Sequence, residues 1–120
     1  MNEKTCKHVI DERPWGKYEV LLIEEGFQVK RIEVKPGQRL SLQKHKHRAE
    51  KWTIVYGKGV VTLGDKEVPV SRGDVVQIAK EEAHRMANPG DKPVVFVEVQ
   101  VGDYLGEDDI IRLQDDYKRS

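Results

Sequence analysis

Polar and apolar residues alternate along this chain in short stretches. The pattern predicts strands over Lys17–Glu24, Phe27–Val34, Arg39–His45, Lys51–Tyr56, Gly59–Leu63, Lys66–Val70, Asp74–Ile78 and Val94–Val101. Between them sit Glu25-Gly26, Pro36-Gly37, Gly57-Lys58, Gly64-Asp65, Arg72-Gly73 and Asn88-Pro89-Gly90-Asp91, residue types that favour tight reversals. Gly64-Asp65 is the most hairpin-like of these. A strand every 8–12 residues or so points to a sandwich or barrel. The stretch Glu107–Ser120 carries five acidic residues and spaces Ile110, Ile111 and Leu113 irregularly, which fits a short strand or a helical turn running into a polar tail.

Composition strengthens the reading. The 16 Val and 7 Ile outweigh 7 Leu and 4 Ala, and β-branched side chains suit pleated surfaces better than helices. The 120 residues are expected to form one all-β domain over 1–120, its core spanning about 13–117 between polar termini. Twenty-one basic side chains are cancelled by 21 acidic ones, so the excess of Lys and Arg that marks a binder of nucleic acid or of anionic membrane is missing. Cys6 is the single cysteine, which rules out an intrachain disulfide, a CxxC redox pair and a four-thiolate zinc site. With a polar start and no long apolar run, a soluble cytoplasmic protein is expected.

The segment Gly37–Glu50 concentrates the chemistry. On a strand, Ser41, Gln43 and His45 share one face and Leu40, Leu42 and Lys44 the other. After a four-residue turn, Glu50 opens a strand whose Trp52, Ile54 and Tyr56 share its face, and His84 follows a further strand. Two imidazoles, a carboxylate and an amide oxygen make a borderline-hard set suited to one divalent ion (Zn, Mn, Co, Ni or Fe). The competing reading of His45 and His47 is a solvated basic turn.

The spacing of these residues resembles the two motifs of the cupin superfamily. In G-x5-H-x-H-x4-E-x6-G, the positions fall on Gly37, Gln43, His45, Glu50 and Gly57, with Gln for the first His; in G-x5-P-x-G-x2-H-x3-N, they fall on Gly73, His84 and Asn88, with Ala79 and Glu81 for Pro and Gly. Further stretches are similar to the C-terminal domain of type II mannose-6-phosphate isomerases. They are Arg13-Pro14-Trp15-Gly16, Leu40-Ser41-Leu42-Gln43, His47-Arg48-Ala49-Glu50, His84-Arg85, and Gly102-Asp103-Tyr104-Leu105-Gly106-Glu107-Asp108-Asp109-Ile110. The resemblance implies a double-stranded β-helix (jelly-roll) barrel with Gln43, His45, Glu50 and His84 as metal ligands inside it. It also implies interconversion of mannose 6-phosphate and fructose 6-phosphate through an enediolate. Such domains commonly follow a guanylyltransferase domain, which a chain of this length has no room for.

Within that reading, Glu98 is the candidate acid/base, assisted by Arg48 and Arg85, and Lys30, Arg48, Arg85 and Arg112 are candidates for holding a sugar phosphate. The duller alternative for Glu98 is a buried partner of Arg31 or Arg112, and for each cation a solvated rim charge. Trp15 and Trp52 read as core or cleft wall, His47 as lying just outside the ligand set, where it could substitute as a ligand or shuttle a proton, and Cys6 and His8 as bystanders. The family usually has His where Lys51 stands; alternation turns Lys51 away from Glu50. Glu81 and Glu82 would add negative charge beside the mouth. The alternative function is a metal-holding cupin that binds a sugar or sugar phosphate without this turnover. Small cupins often pair through a sheet edge, so a homodimer is expected.

Overall fold

The computed structural model describes residues 9–117; Cys6, His8 and residues 118–120 of the polar tail lie outside the described residues. Eleven strands follow in order: β1 (Val9–Arg13), β2 (Gly16–Glu24), β3 (Phe27–Val34), β4 (Leu42–Lys44), β5 (Arg48–Tyr56), β6 (Lys58–Leu63), β7 (Lys66–Ser71), β8 (Val75–Ile78), β9 (His84–Ala87), β10 (Val94–Gly102) and β11 (Ile111–Gln114). No helix long and apolar enough to cross a membrane occurs among the described residues. Two antiparallel sheets, ordered β1-β2-β3-β10-β5-β8 and β11-β4-β9-β6-β7, form the jelly-roll barrel expected of the cupin motifs. Strands distant in sequence lie side by side, as when β10 enters between β3 and β5.

Period-two alternation explains what each strand buries. Along β3, Gln28, Lys30, Ile32 and Val34 are buried and the residues between them are only partly so. The inward face of β10 carries Phe96, Glu98 and Gln100, and that of β5 carries Arg48, Glu50, Trp52 and Ile54. Antiparallel register then sorts them by kind. Phe96 lies opposite Ile32 and Ile54, whereas Glu98 lies opposite Lys30 and Trp52, and Gln100 opposite Gln28 and Glu50. One half of the interior is therefore an apolar floor, where Val34, Ile54, Val61, Met86, Val94 and Phe96 are almost wholly buried. The other half is polar.

Glycine is required where the first motif ends. Gly57 has φ +82°, and a Cβ there would lie 2.4 Å from the carbonyl oxygen of Pro93. The hairpin expected at Gly64-Asp65 joins β6 to β7, with Leu63 paired to Lys66.

Some boundaries differ from the pattern-based expectation. The predicted strand Arg39–His45 narrows to β4: Arg39 bridges Ala87 while Gln43 pairs with His84, four steps against three, so one extra residue is accommodated near Leu40 and Ser41. Both of those neighbours are buried as a result. The four-residue turn shortens, because β5 begins at Arg48. Tyr56, expected to face inward with Glu50, is 58% exposed. Val95 pairs with Tyr56 but Phe96 pairs with Ile54, and this bulge reverses the alternation. Strands β1 and β9 were not predicted, and the irregular C-terminal stretch supplies β11 as a strand rather than a helical turn.

Candidate metal centre

His45, Glu50 and His84 come from three different strands or strand ends and converge in the polar half of the barrel. Their donor atoms all lie within 4.8 Å of one another, and all three residues are buried. His45 Nε2 is 3.2 Å from Glu50 Oε2, and His84 Nε2 is 3.8 Å from Glu50 Oε1. The other ring nitrogens fix the tautomers. His45 Nδ1 lies 2.6 Å from the carbonyl oxygen of Asp109, and His84 Nδ1 lies 2.8 Å from that of Glu82. A carbonyl only accepts, so each Nδ1 carries the hydrogen and each Nε2 turns its lone pair toward Glu50. Burial, reinforced by the positive charge of Arg48, pushes the His45 imidazole down to about 4. His84 is lowered as well, chiefly by burial. Two neutral, pre-oriented imidazoles beside a carboxylate fit a divalent transition-metal ion, and backbone acceptors behind ligating histidines are the usual support for one.

Asp109 organises the turn that presents His45. Its carboxylate accepts the backbone N–H of Lys46 at 3.0 Å and of His47 at 2.9 Å. Gln43 is paired in register with His84 on one side and Arg112 on the other, and it lines the same cavity. His47 is exposed, its ring edge-on to Tyr104, and stands away from the ligand set. Asn88, the last residue of the second motif, is buried and donates to the carbonyls of Val34 and Lys92, so it ties the loop after β9 to the floor.

Behind the ligands runs a chain of buried hydrogen bonds. The Trp52 indole N–H donates to Glu50 Oε1 at 3.0 Å and Glu98 Oε2 at 3.3 Å. Gln100 donates to Glu98 at 3.2 Å, and Gln28 donates to Gln100 at 2.8 Å. Burial, then the charge of Glu50, raises the Glu98 carboxyl to about 8. Glu98 is thus a carboxyl that keeps its proton near neutrality and faces the ligand set. Arg31 does not partner it, since that side chain pairs with Glu33.

The candidate cations divide. Lys30, Arg48 and Arg112 line the cavity, whose volume is about 130 Å³. Arg48 Nε donates to Glu50 at 2.7 Å, and its terminal nitrogen lies 3.3 Å from His45 Nε2. Arg85 does not line the cavity. It follows His84 on β9, so its side chain leaves the opposite face, where it donates to the Leu40 carbonyl at 3.1 Å and reaches Gln114. The structure gives it a strapping position between β9 and the C-terminal strand.

The departures from the motif are accommodated. Lys51 is exposed, as alternation requires. Glu81, in the place of the motif glycine, keeps φ +63° and donates its N–H to the His45 carbonyl at 2.7 Å. Neither it nor Glu82 lines the cavity, although the charge of Glu82 is felt at His84; the Glu82 carboxylate accepts the Ala79 N–H at 3.0 Å. Arg13, Tyr18 and Glu107, which no local pattern assigns to the site, also border the cavity. The signal for Glu107 was present in the Gly106-Glu107-Asp108-Asp109 stretch, but nothing local says where that loop returns.

Comparison with known proteins identifies the family and the fold. The family Mannose-6-phosphate isomerase C-terminal matches residues 1–115. The alginate biosynthesis protein AlgA of Pseudomonas aeruginosa is 49% identical over 117 residues, covering 98% of this chain and 24% of AlgA. The xanthan biosynthesis protein XanB of Xanthomonas campestris is 49% identical over 108 residues, covering 90% of this chain and 23% of XanB. The chain thus spans about a quarter of the length of these relatives. A Klebsiella pneumoniae protein with a double-stranded β-helix domain superposes with a TM-score of 0.76 at 21% identity, covering 90% of this chain and 87% of that one, a likeness of fold alone. With the cupin-type barrel, both motifs and the match over residues 1–115 in agreement, the chain belongs to the mannose-6-phosphate isomerase C-terminal family.

Proposed function

We propose that this chain is a metal-dependent isomerase that interconverts mannose 6-phosphate and fructose 6-phosphate. The observation that carries the reading is the meeting of His45, Glu50 and His84 within 4.8 Å on a cavity also lined by Glu98 and by cations, in a chain of this family. Gln43, His45, Glu50 and His84 would hold the ion. When bound, a divalent ion supplies Lewis acidity, polarising the sugar carbonyl and offsetting the negative charge that develops on its oxygen.

The remaining work is proton transfer and positioning. Isomerisation moves a hydrogen from C2 to C1 through an enediolate, which calls for one group able to take a proton and return it. Glu98 lines the same cavity beside the ligands, and burial raises its carboxyl in the metal-free chain, so Glu98 Oε2 or Oε1 is assigned the shuttle. Trp52 and Gln100 hold the carboxyl in place by donating to it. Lys30 and Arg48 neutralise the phosphate, with Arg112 as the third candidate.

The test is direct: load the purified chain with Mn, Zn or Co and follow fructose 6-phosphate formation from mannose 6-phosphate. Turnover that His84→Ala abolishes together with metal binding supports the reading. No turnover with any of these ions removes it in favour of a metal-holding, sugar-binding cupin.

A further inference from the structure

Resting on that sugar-phosphate reading, we propose that Lys30 and Arg48 form an oxyanion subsite at the cavity mouth that the carboxylate of Glu107 fills in the resting chain. An incoming phosphate must displace the protein's own acid. The two oxygens of Glu107 are divided between cations from different strands: Oε1 lies 2.6 Å from Lys30 Nζ on β3, and Oε2 lies 3.7 Å from an Arg48 terminal nitrogen on β5. One anion shared by an ammonium and a guanidinium is the arrangement a phosphate would take.

Burial shows which partner is the guest. The Lys30 side chain is 5% exposed and that of Arg48 7%, whereas Glu107 is 53% exposed. The cations cannot turn to water without rebuilding the wall, but the carboxylate can. Lys30 is further held by the ring of Tyr18, 4.3 Å from Nζ. Glu107 sits on the connection between β10 and β11, and that connection is anchored two residues later, where Asp109 caps the turn bearing His45. The acid is thus carried to the mouth on a fixed tether with its own end free to leave.

Size points the same way. The cavity of about 130 Å³, with Glu107 in its wall, is below the roughly 300 Å³ at which pockets for drug-sized ligands begin. Displacing Glu107 enlarges it and exposes two cations at once. A phosphate carries about −1.5 to −2 charge at neutral pH against the single charge of the carboxylate, so the exchange favours a phosphorylated sugar over a neutral one. Glu107 then acts as a selectivity element, and the short spacing from it to Asp109 in the chain links occupant to anchor.

The experiment is calorimetric titration of the full chain with inorganic phosphate and, separately, with mannose. Glu107→Gln is expected to tighten phosphate binding about two- to five-fold, the scale of one partly screened ion pair, and to leave mannose binding unchanged. Glu107→Ser should act in the same direction, with thermal melts showing that both variants fold. Adding Lys30→Gln should abolish the gain. Phosphate affinity that is unchanged or weakened in both Glu107 variants overturns the proposal, because Glu107 would then merely hold Lys30 in place. A gain that survives Lys30→Gln overturns it equally. The two readings separate cleanly: tighter phosphate binding in a chain without turnover keeps the subsite and removes the isomerase, whereas turnover with unmoved phosphate affinity does the reverse.

Discussion

Replacing Glu98 by Gln tests whether a protonated carboxyl lies at the centre of the site. In the folded chain Glu98 is raised from 4.5 to about 8 and His45 is lowered from 6.5 to about 4, so the two contribute to stability with opposite sign. A raised carboxyl binds its proton more tightly when folded; its contribution is complete below pH 4.5 and is lost as pH rises to about 8. A lowered imidazole resists protonation when folded; its contribution is complete above 6.5 and is lost as pH falls toward about 4. Above pH 6.5 only the Glu98 effect remains of these two. With about 1.4 kcal/mol per pH unit, the metal-free chain should lose on the order of 2 kcal/mol between pH 6.5 and 8. Glutamine keeps the size, the acceptor for Trp52 and a donor toward Glu50, but cannot ionise and no longer accepts from Gln100. Glu98→Gln should therefore start somewhat below the parent at pH 6.5 and gain on it as pH rises to 8. Urea unfolding followed by tryptophan fluorescence, in the presence of a chelator, measures both. Parallel pH profiles for parent and variant, or a parent that gains stability over this window, would refute the reasoning.

Further expectations follow from single contacts. Glu81→Gly should raise stability by about 1 kcal/mol, seen as a higher melting temperature, because Glu81 occupies a left-handed conformation that glycine adopts without a Cβ penalty. Asp109→Ala should cost about 1–3 kcal/mol in denaturant titration and weaken metal binding, since it strips two backbone N–H groups of their acceptor beside His45. Lys51→His should leave metal content unchanged by elemental analysis, as the side chain points out of the barrel. Phe96→Ala should destabilise by about 3–5 kcal/mol, emptying the floor against which Trp52 packs at 4.5 Å between ring centroids.

The candidate metal site shows how much was legible in advance. Ser41, Gln43 and His45 line one cavity, as do Glu50 and Trp52, because side-chain direction along a strand is a local, period-two property. The inward turn of Glu98 and the outward turn of Lys51 follow from the same rule. Where the rule failed, as at Leu40 or at Tyr56, the cause was a bulge. A bulge depends on the length of the partner strand, which a single strand does not encode locally.

Arg85 and Glu107 mark the boundary most clearly. Proximity in sequence to His84 made Arg85 a candidate, and alternation on β9 sends it to the opposite face. Glu107 is 77 residues from Lys30, yet their side chains meet at 2.6 Å. The sequence by itself determined the strand content, the inward faces and the chemistry of the ligands, since these depend on residue type and on neighbours one or two positions away. Only the tertiary structure decided which inward faces meet, which cations share the cavity and which acid stands at its mouth. Those outcomes rest on pairing between distant strands, where register and loop return are set by the packing of the whole barrel.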